Sequence, residues 1–181
     1  MVIAKDDATH ARLAKQFSDR TIDREYWAVV WGRFSGRGGR ESTTGIIEAA
    51  LGRSKSDRKK IAIRPEGKHA VTEYTVLEEF EFLTLLKLKL RTGRTHQIRV
   101  HLHHIGHPVF GDPTYGGRRI AWGATDRKRK ESVQRLLNII DRQALHAKTL
   151  GFTHPVTGKR MSFDSDLPDD MRRLVETLRE G

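Results

Sequence analysis

FLTLLKLKLRTGRTHQIRVHLHHIG, from Phe82 to Gly106, changes its hydrophobic period once. Leu86, Leu88 and Leu90 alternate with Lys87 and Lys89, the two-residue period of a half-buried strand. After the turn at Thr92–Gly93, apolar residues recur at Ile98, Leu102 and Ile105, the i, i+4, i+7 spacing of one helical face. Thr95 is a good N-cap and Gly106 a good C-terminal stop. The stretch therefore reads as strand, tight turn and helix.

Similar patterns extend outward from it. Ala70–Glu81 alternates through Val71, Tyr74, Val76 and Leu77 with an irregularity near its end, and pairs naturally with Phe82–Arg91 as an antiparallel neighbour. EYWAVVWG, Glu25–Gly32, reads as a buried strand, and Ala144–Phe152 with Lys159–Phe163 as a hairpin around His154–Gly158. Val2–Lys5 also looks like a strand. Helices are expected after Asp6 or Asp7, carrying Ala8, Ala11, Leu13, Ala14 and Phe17, and at Ser132–Ile140 and Leu167–Arg179. A short helix is expected at Gly45–Leu51. No repeat or long linker divides the chain, so residues 1–181 form a single domain of the α+β class, with a mostly antiparallel sheet and flanking helices.

Composition narrows the chemistry. Among 181 residues there is no cysteine, which excludes disulfides, iron–sulfur clusters, thiolate zinc sites and thiol catalysis, and is compatible with a reducing cytoplasm. No apolar run approaches the roughly 20 residues of a membrane span. The net charge is +11, a bias toward a polyanionic partner. Arg33–Lys60 carries a net +5 and Arg118–Lys130 another +5. Both blocks read as loops, since Gly, Ser, Arg and Lys replace apolar periodicity there. A solubilising surface is the plain alternative for either block alone; two such blocks in one small chain favour nucleic acid. Neither carries the Leu- or Trp-rich amphipathic helix of a membrane-surface binder.

Helical spacing brings His96, Arg99 and His103 near one another, away from the apolar face. Arg94 precedes a helix N-terminus suited to a phosphate, and an arginine on the first turns could pair with a phosphate or with a carboxylate of the same protein. Five of the nine histidines lie between His96 and His107, and His103 and His107 have a spacing that two zinc ligands could use. No HExxH-type carboxylate accompanies them, so a metal-dependent hydrolase is the weakest reading. Asp164, Asp166, Asp169 and Asp170 precede and open the last helix, where anions favour the dipole, and form no separate catalytic pair. Nothing resembles a serine nucleophile elbow. Tyr26, Trp27 and Trp31 read as core residues ahead of base-stacking platforms.

GRTHQIRVH (Gly93–His101), GHPVFGDPTYGG (Gly106–Gly117) and QALHAKTLGFTHPVTG (Gln143–Gly158), taken in this order, resemble the catalytic domain of the RluA-type RNA pseudouridine synthases. Arg24-Glu25-Tyr26, Gly67–Tyr74 and the basic segment Arg53–Lys60 add to the likeness, which runs from the first residues to about Phe163. The resemblance implies a mixed, largely antiparallel sheet with a central RNA-binding cleft. It implies isomerisation of uridine to pseudouridine in ribosomal or transfer RNA, with no metal or organic cofactor and with the target base flipped from its stack. In that family's pattern Tyr26 stacks on the base and takes part in proton handling, Arg99 pairs with the catalytic aspartate, and Lys87–Arg91 helps line the cleft. The candidate RNA contacts are Arg53, Lys55, Arg58, Lys59, Lys60, Arg94, His96, Arg118 and Arg119, in a monomeric, cytoplasmic protein.

One departure matters. The family's aspartate stands in a motif like His-Arg-Leu-Asp, shortly before a strand ending Val-x-Ala-Lys. Val2-Ile3-Ala4-Lys5 matches that strand, so the aspartate falls ahead of Met1 and is absent; Asp6 and Asp7 follow the strand and do not replace it. The expectation is then a chain inactive by itself and marginally stable, with Arg99 an unpaired buried charge and sheet edges uncovered. The alternative is a non-catalytic RNA-binding protein using the same cleft.

Overall fold

The computed structural model describes residues 2–35, 43–123 and 125–180. In chain order its elements are α1 (Asp7–Ser18), β1 (Asp23–Trp31), β2 (Thr44–Arg53), β3 (Ile61–Ile63), β4 (Lys68–Glu79), β5 (Leu83–Leu90), α2 (Gln97–His104), α3 (Arg127–Ile139), β6 (Leu145–Thr153), β7 (Arg160–Asp164) and α4 (Asp169–Glu180). The strands form one seven-stranded sheet in the order β3-β2-β4-β5-β1-β6-β7. Every ladder between the described strands is antiparallel, so the mixed sheet implied by the resemblance is purely antiparallel here.

The apolar strands take the middle of the sheet. In β5, Leu83, Leu86 and Leu88 are fully buried, and in β1 so are Ala28 to Trp31. Trp31 stacks at a tilt with Phe82 and Phe110, while its indole N–H donates to the Gly117 carbonyl at 2.8 Å. Val133, Leu136 and Leu137 of α3 join Met171, Leu174 and Val175 of α4 in the same core. The irregularity expected near the end of the fourth strand is a register shift between Val76 and Glu78 against β5, which leaves Leu77 as the extra residue.

Five expectations need correction. Gly45–Leu51 is strand, not helix: β2 pairs with β4 from Thr44↔Thr75 to Leu51↔Lys68, and burial of Ile47 and Leu51 outweighs the helix preference of Glu-Ala-Ala-Leu. Val2–Lys5 joins no ladder; Val2 and Ala4 instead pack against Leu13, Ile22 and Phe152. Thr95 does not cap α2. His96 holds that position in a left-handed conformation (φ 54°), because the Gln97 side chain already ties down the turn. Ile105 is 36 % exposed; Ile98 and Leu102 pack into the main core, while Val100, on the opposite side of the helix, packs with Leu51, Ala70 and Tyr115. Last, the basic blocks are not simply loops. The first contains β2, and Arg127–Lys130 is the opening turn of α3, capped by Asp126, whose carboxylate accepts the Arg129 N–H at 2.9 Å. Arg37 and Arg40 of the first block lie outside the described residues.

Candidate active site

Tyr26 lies on β1 opposite Leu88 of β5, and Leu88 in turn faces Tyr74 of β4. Directly opposed residues share a sheet face, so the three form one row, with the two tyrosines about 9.5 Å apart at usual strand spacing. Tyr26 is half-buried. Arg24, two positions earlier on the same strand, shares its face. A cleft of about 360 Å³ opens at this end of the β1–β5 pair, walled by the cations Arg20, Arg24, Lys89 and Arg91, the carboxylates Asp23, Glu25 and Glu73, and by Ile22, Leu90 and Thr149. Of Lys87–Arg91, therefore, Lys89, Leu90 and Arg91 reach the cleft.

The Gly93–Arg94 turn is held beside this cleft by a buried polar network. The Gln97 carboxamide oxygen accepts from the Thr92 hydroxyl (2.8 Å) and the Arg94 N–H (3.0 Å), while its NH2 donates to the Val71 carbonyl and the Thr72 hydroxyl oxygen, both at 3.0 Å. His101 Nδ1 meets the same Thr72 hydroxyl at 2.9 Å. Gln97, Thr72, Thr92 and His101 are all buried, so the network fixes how α2 sits on the sheet. Burial lowers the pKa of His101. Its Nε2 is sealed from solvent without a hydrogen bond, although the Ala49 backbone pulls toward the protonated ring.

His96, Arg99 and His103 do converge, and their common neighbour is Tyr115. His96 Nδ1 lies 2.9 Å from the Tyr115 hydroxyl, the Arg99 guanidinium sits 4.8 Å over its ring, and the His103 ring is 6.4 Å away. Arg99 is not an unpaired charge. It grips Asp112 with two parallel bonds, Nε to Oδ2 at 2.6 Å and NH2 to Oδ1 at 2.7 Å, and Asp112 also accepts the N–H groups of Thr114 and Tyr115. Of the two partners read for that arginine, the structure supplies a carboxylate of its own chain. Burial pushes the Asp112 carboxyl up, but Arg99 and the two N–H groups more than offset this and hold it below the ordinary range. Burial, helped by the Arg99 charge, lowers the pKa of His96.

The other candidate contacts are spread over the surface. Arg53, Lys55, Arg58 and Lys59 are exposed and Lys60 half-buried at the β2–β3 connection. Arg94 is exposed beside α2, 3.4 Å from the His69 carbonyl, and Arg118 and Arg119 are exposed after the Gly111–Gly117 loop. A second cleft lies between β2–β3 and α2, about 530 Å³, walled by Lys60, Ile61, His103, His104 and Tyr115. A third, about 420 Å³ beside Glu78–Glu81 and α4, is lined by charges that already pair with each other, Arg179 with Glu78 and Arg33 with Glu79. His107 lies beyond the end of α2, so its spacing from His103 is not helical. Among the described residues no group of three or more His, Asp or Glu is placed to hold a metal ion.

Local pattern does not show the partner of Arg99. Asp112, inside a segment that reads as a turn, is fully buried and pairs with it; its only local signal is the Gly-Asp-Pro-Thr-Tyr string.

The family model for RNA pseudouridylate synthase matches residues 1–104. The chain belongs to that family. Among curated relatives it is 44% identical over 181 residues to ribosomal large subunit pseudouridine synthase D of Vibrio cholerae, covering 99% of this chain and 52% of the relative. It is 42% identical over 180 residues to the protein of the same name in Escherichia coli, covering 99% and 52%, and 41% identical over 181 residues to an uncharacterised RNA pseudouridine synthase of Bacillus subtilis, covering 100% and 52%. The chain thus spans about half the length of the curated relatives it matches. The fold is also that of the human RNA pseudouridylate synthase domain containing 4, with a TM-score of 0.73 at 23% identity over 99% of this chain and 70% of that one. No helix among the described residues is long and apolar enough to cross a membrane.

Proposed function

We propose that this chain carries the base-binding half of an RNA pseudouridine synthase that acts on structured RNA, ribosomal or transfer RNA, in the cytoplasm as a monomer and without a cofactor. In the reaction the N1–C1′ bond of uridine breaks and a C5–C1′ bond forms, while C5 loses a proton and N1 gains one. Tyr26 stacks on the flipped base and handles the C5 proton, consistent with its half-buried place on β1, two residues beyond Arg24 of the cleft. The aspartate that activates the nucleoside comes from a segment ahead of Val2. Arg99, paired with Asp112, anchors α2 to the Gly111–Gly117 loop. The observation that carries the reading is the half-buried Tyr26, on the strand whose first residues line a cleft of mixed charge, in a chain related along its whole length to pseudouridine synthases.

The test is a paired assay on total cellular RNA. One arm uses this chain; the other uses a version extended upstream in frame. Pseudouridine formed only by the extended protein, and lost in its Tyr26→Phe variant while RNA binding persists, is the expected result. RNA binding without pseudouridine in either arm leaves a non-catalytic RNA-binding protein.

A further inference from the structure

Arg24 is half-buried, yet it has no ion pair and no hydrogen bond, and its Nε is sealed from solvent without an acceptor. A cation withdrawn from water normally has an anion beside it. The carboxylates around this cleft are engaged elsewhere: Asp23 with Arg160, Glu73 with Arg91, and Glu25 with the Trp27 indole N–H at 3.0 Å. The guanidinium is nevertheless held in place. The Phe17 ring of α1 lies 5.7 Å from its Cζ, and the backbone at Gly93 is so close that a Cβ there would stand 2.8 Å from NH1. The same strand face carries Tyr26 two residues on.

We propose that Arg24 is a phosphate-binding residue, whose guanidinium takes the phosphodiester next to the nucleotide stacked on Tyr26. Its planar fork of donors fits two phosphate oxygens at once. Gly93 provides the room the fork needs. Arg24 is a positioning residue: it anchors the backbone so that the base enters the cleft, and it forms no bond to the reacting atoms. The inference rests on the RNA-directed reading above.

The test measures binding of a short oligouridylate against salt concentration, with melting temperatures recorded in parallel. Arg24→Gln is expected to flatten the log–log salt dependence by about 0.7, the share of one single-strand phosphate contact. Arg24→Lys keeps the charge and the slope but weakens binding severalfold, because the fork is lost. Gly93→Ala is the independent arm: the atom it displaces is the end of a flexible side chain, so the protein stays folded while the guanidinium is pushed aside. It should weaken binding with no change in net charge. An unchanged slope in Arg24→Gln overturns the proposal, whether its melting temperature falls (a structural cation) or holds. So does absence of salt-dependent binding by the unsubstituted chain. A slope that falls as expected while the extended protein makes no pseudouridine keeps the phosphate site and discards the isomerase reading.

Discussion

Arg99 and Arg24 are both half-buried arginines beside the same helix-and-sheet junction, and their surroundings are opposite. Arg99, with its side chain 12 % exposed, is closed on both sides, with Asp112 fully buried in front and the Tyr115 ring against its face. Arg24 has an aromatic ring and a glycine beside it and no anion. A partnered guanidinium stabilises only this one arrangement of the chain, since losing either member strands the other. An unpartnered one is held ready for something outside it. The burial of a charge is therefore less informative than whether its partner belongs to the same molecule.

The largest effect that would sharpen this contrast is on Arg99. Asp112→Ala should cost about 3–5 kcal/mol in urea unfolding, because it leaves a buried guanidinium unpaired. Arg24→Gln should stay within about 0.5 kcal/mol of the parent; a loss comparable to that of Asp112→Ala would erase the distinction. Next in size is Gln97→Ala, expected to cost about 1–3 kcal/mol by leaving the buried Thr92 and Thr72 hydroxyls and the Val71 carbonyl short of partners.

Acidity probes the same α2 region with a smaller effect. His96 and His101 both titrate below their ordinary value of 6.5 in the folded chain, so the unfolded chain binds the extra protons and stability falls as pH drops through and below 6.5. The depressed Asp112 carboxyl adds a further loss below its ordinary 3.8. His101→Gln should flatten the first part of that dependence in melting curves, and an unaltered profile would show that burial does not lower the ring's proton affinity. Smallest of all, Arg118→Ala and Arg119→Ala should leave stability within about 0.5 kcal/mol, as exposed residues do.

Much of this architecture was open to reading from local pattern. The alternation in Leu86–Leu90 and the 3.6-residue spacing through Ile98 and Leu102 are imposed by backbone geometry, and both elements are where that spacing puts them. The hairpin of β6 and β7 and the helix α4 were visible for the same reason. The Tyr115-centred meeting of His96, Arg99 and His103 was half legible: the three face one way on a helix, but Tyr115 comes from a different segment. β2 was misread because its residues suit a helix and only the ladder to β4, some two dozen residues on, makes them a strand.

The amino-acid order alone determined the periods, the turns, the excess of positive charge and the family resemblance. All of these are properties of neighbouring residues or of their succession along the chain. Tertiary structure decided which charges have partners: Asp112 closes on Arg99 thirteen positions back, while Asp23 and Glu73 near Arg24 turn to other cations. Pairing depends on how distant segments meet when the sheet assembles, and no local spacing encodes that meeting.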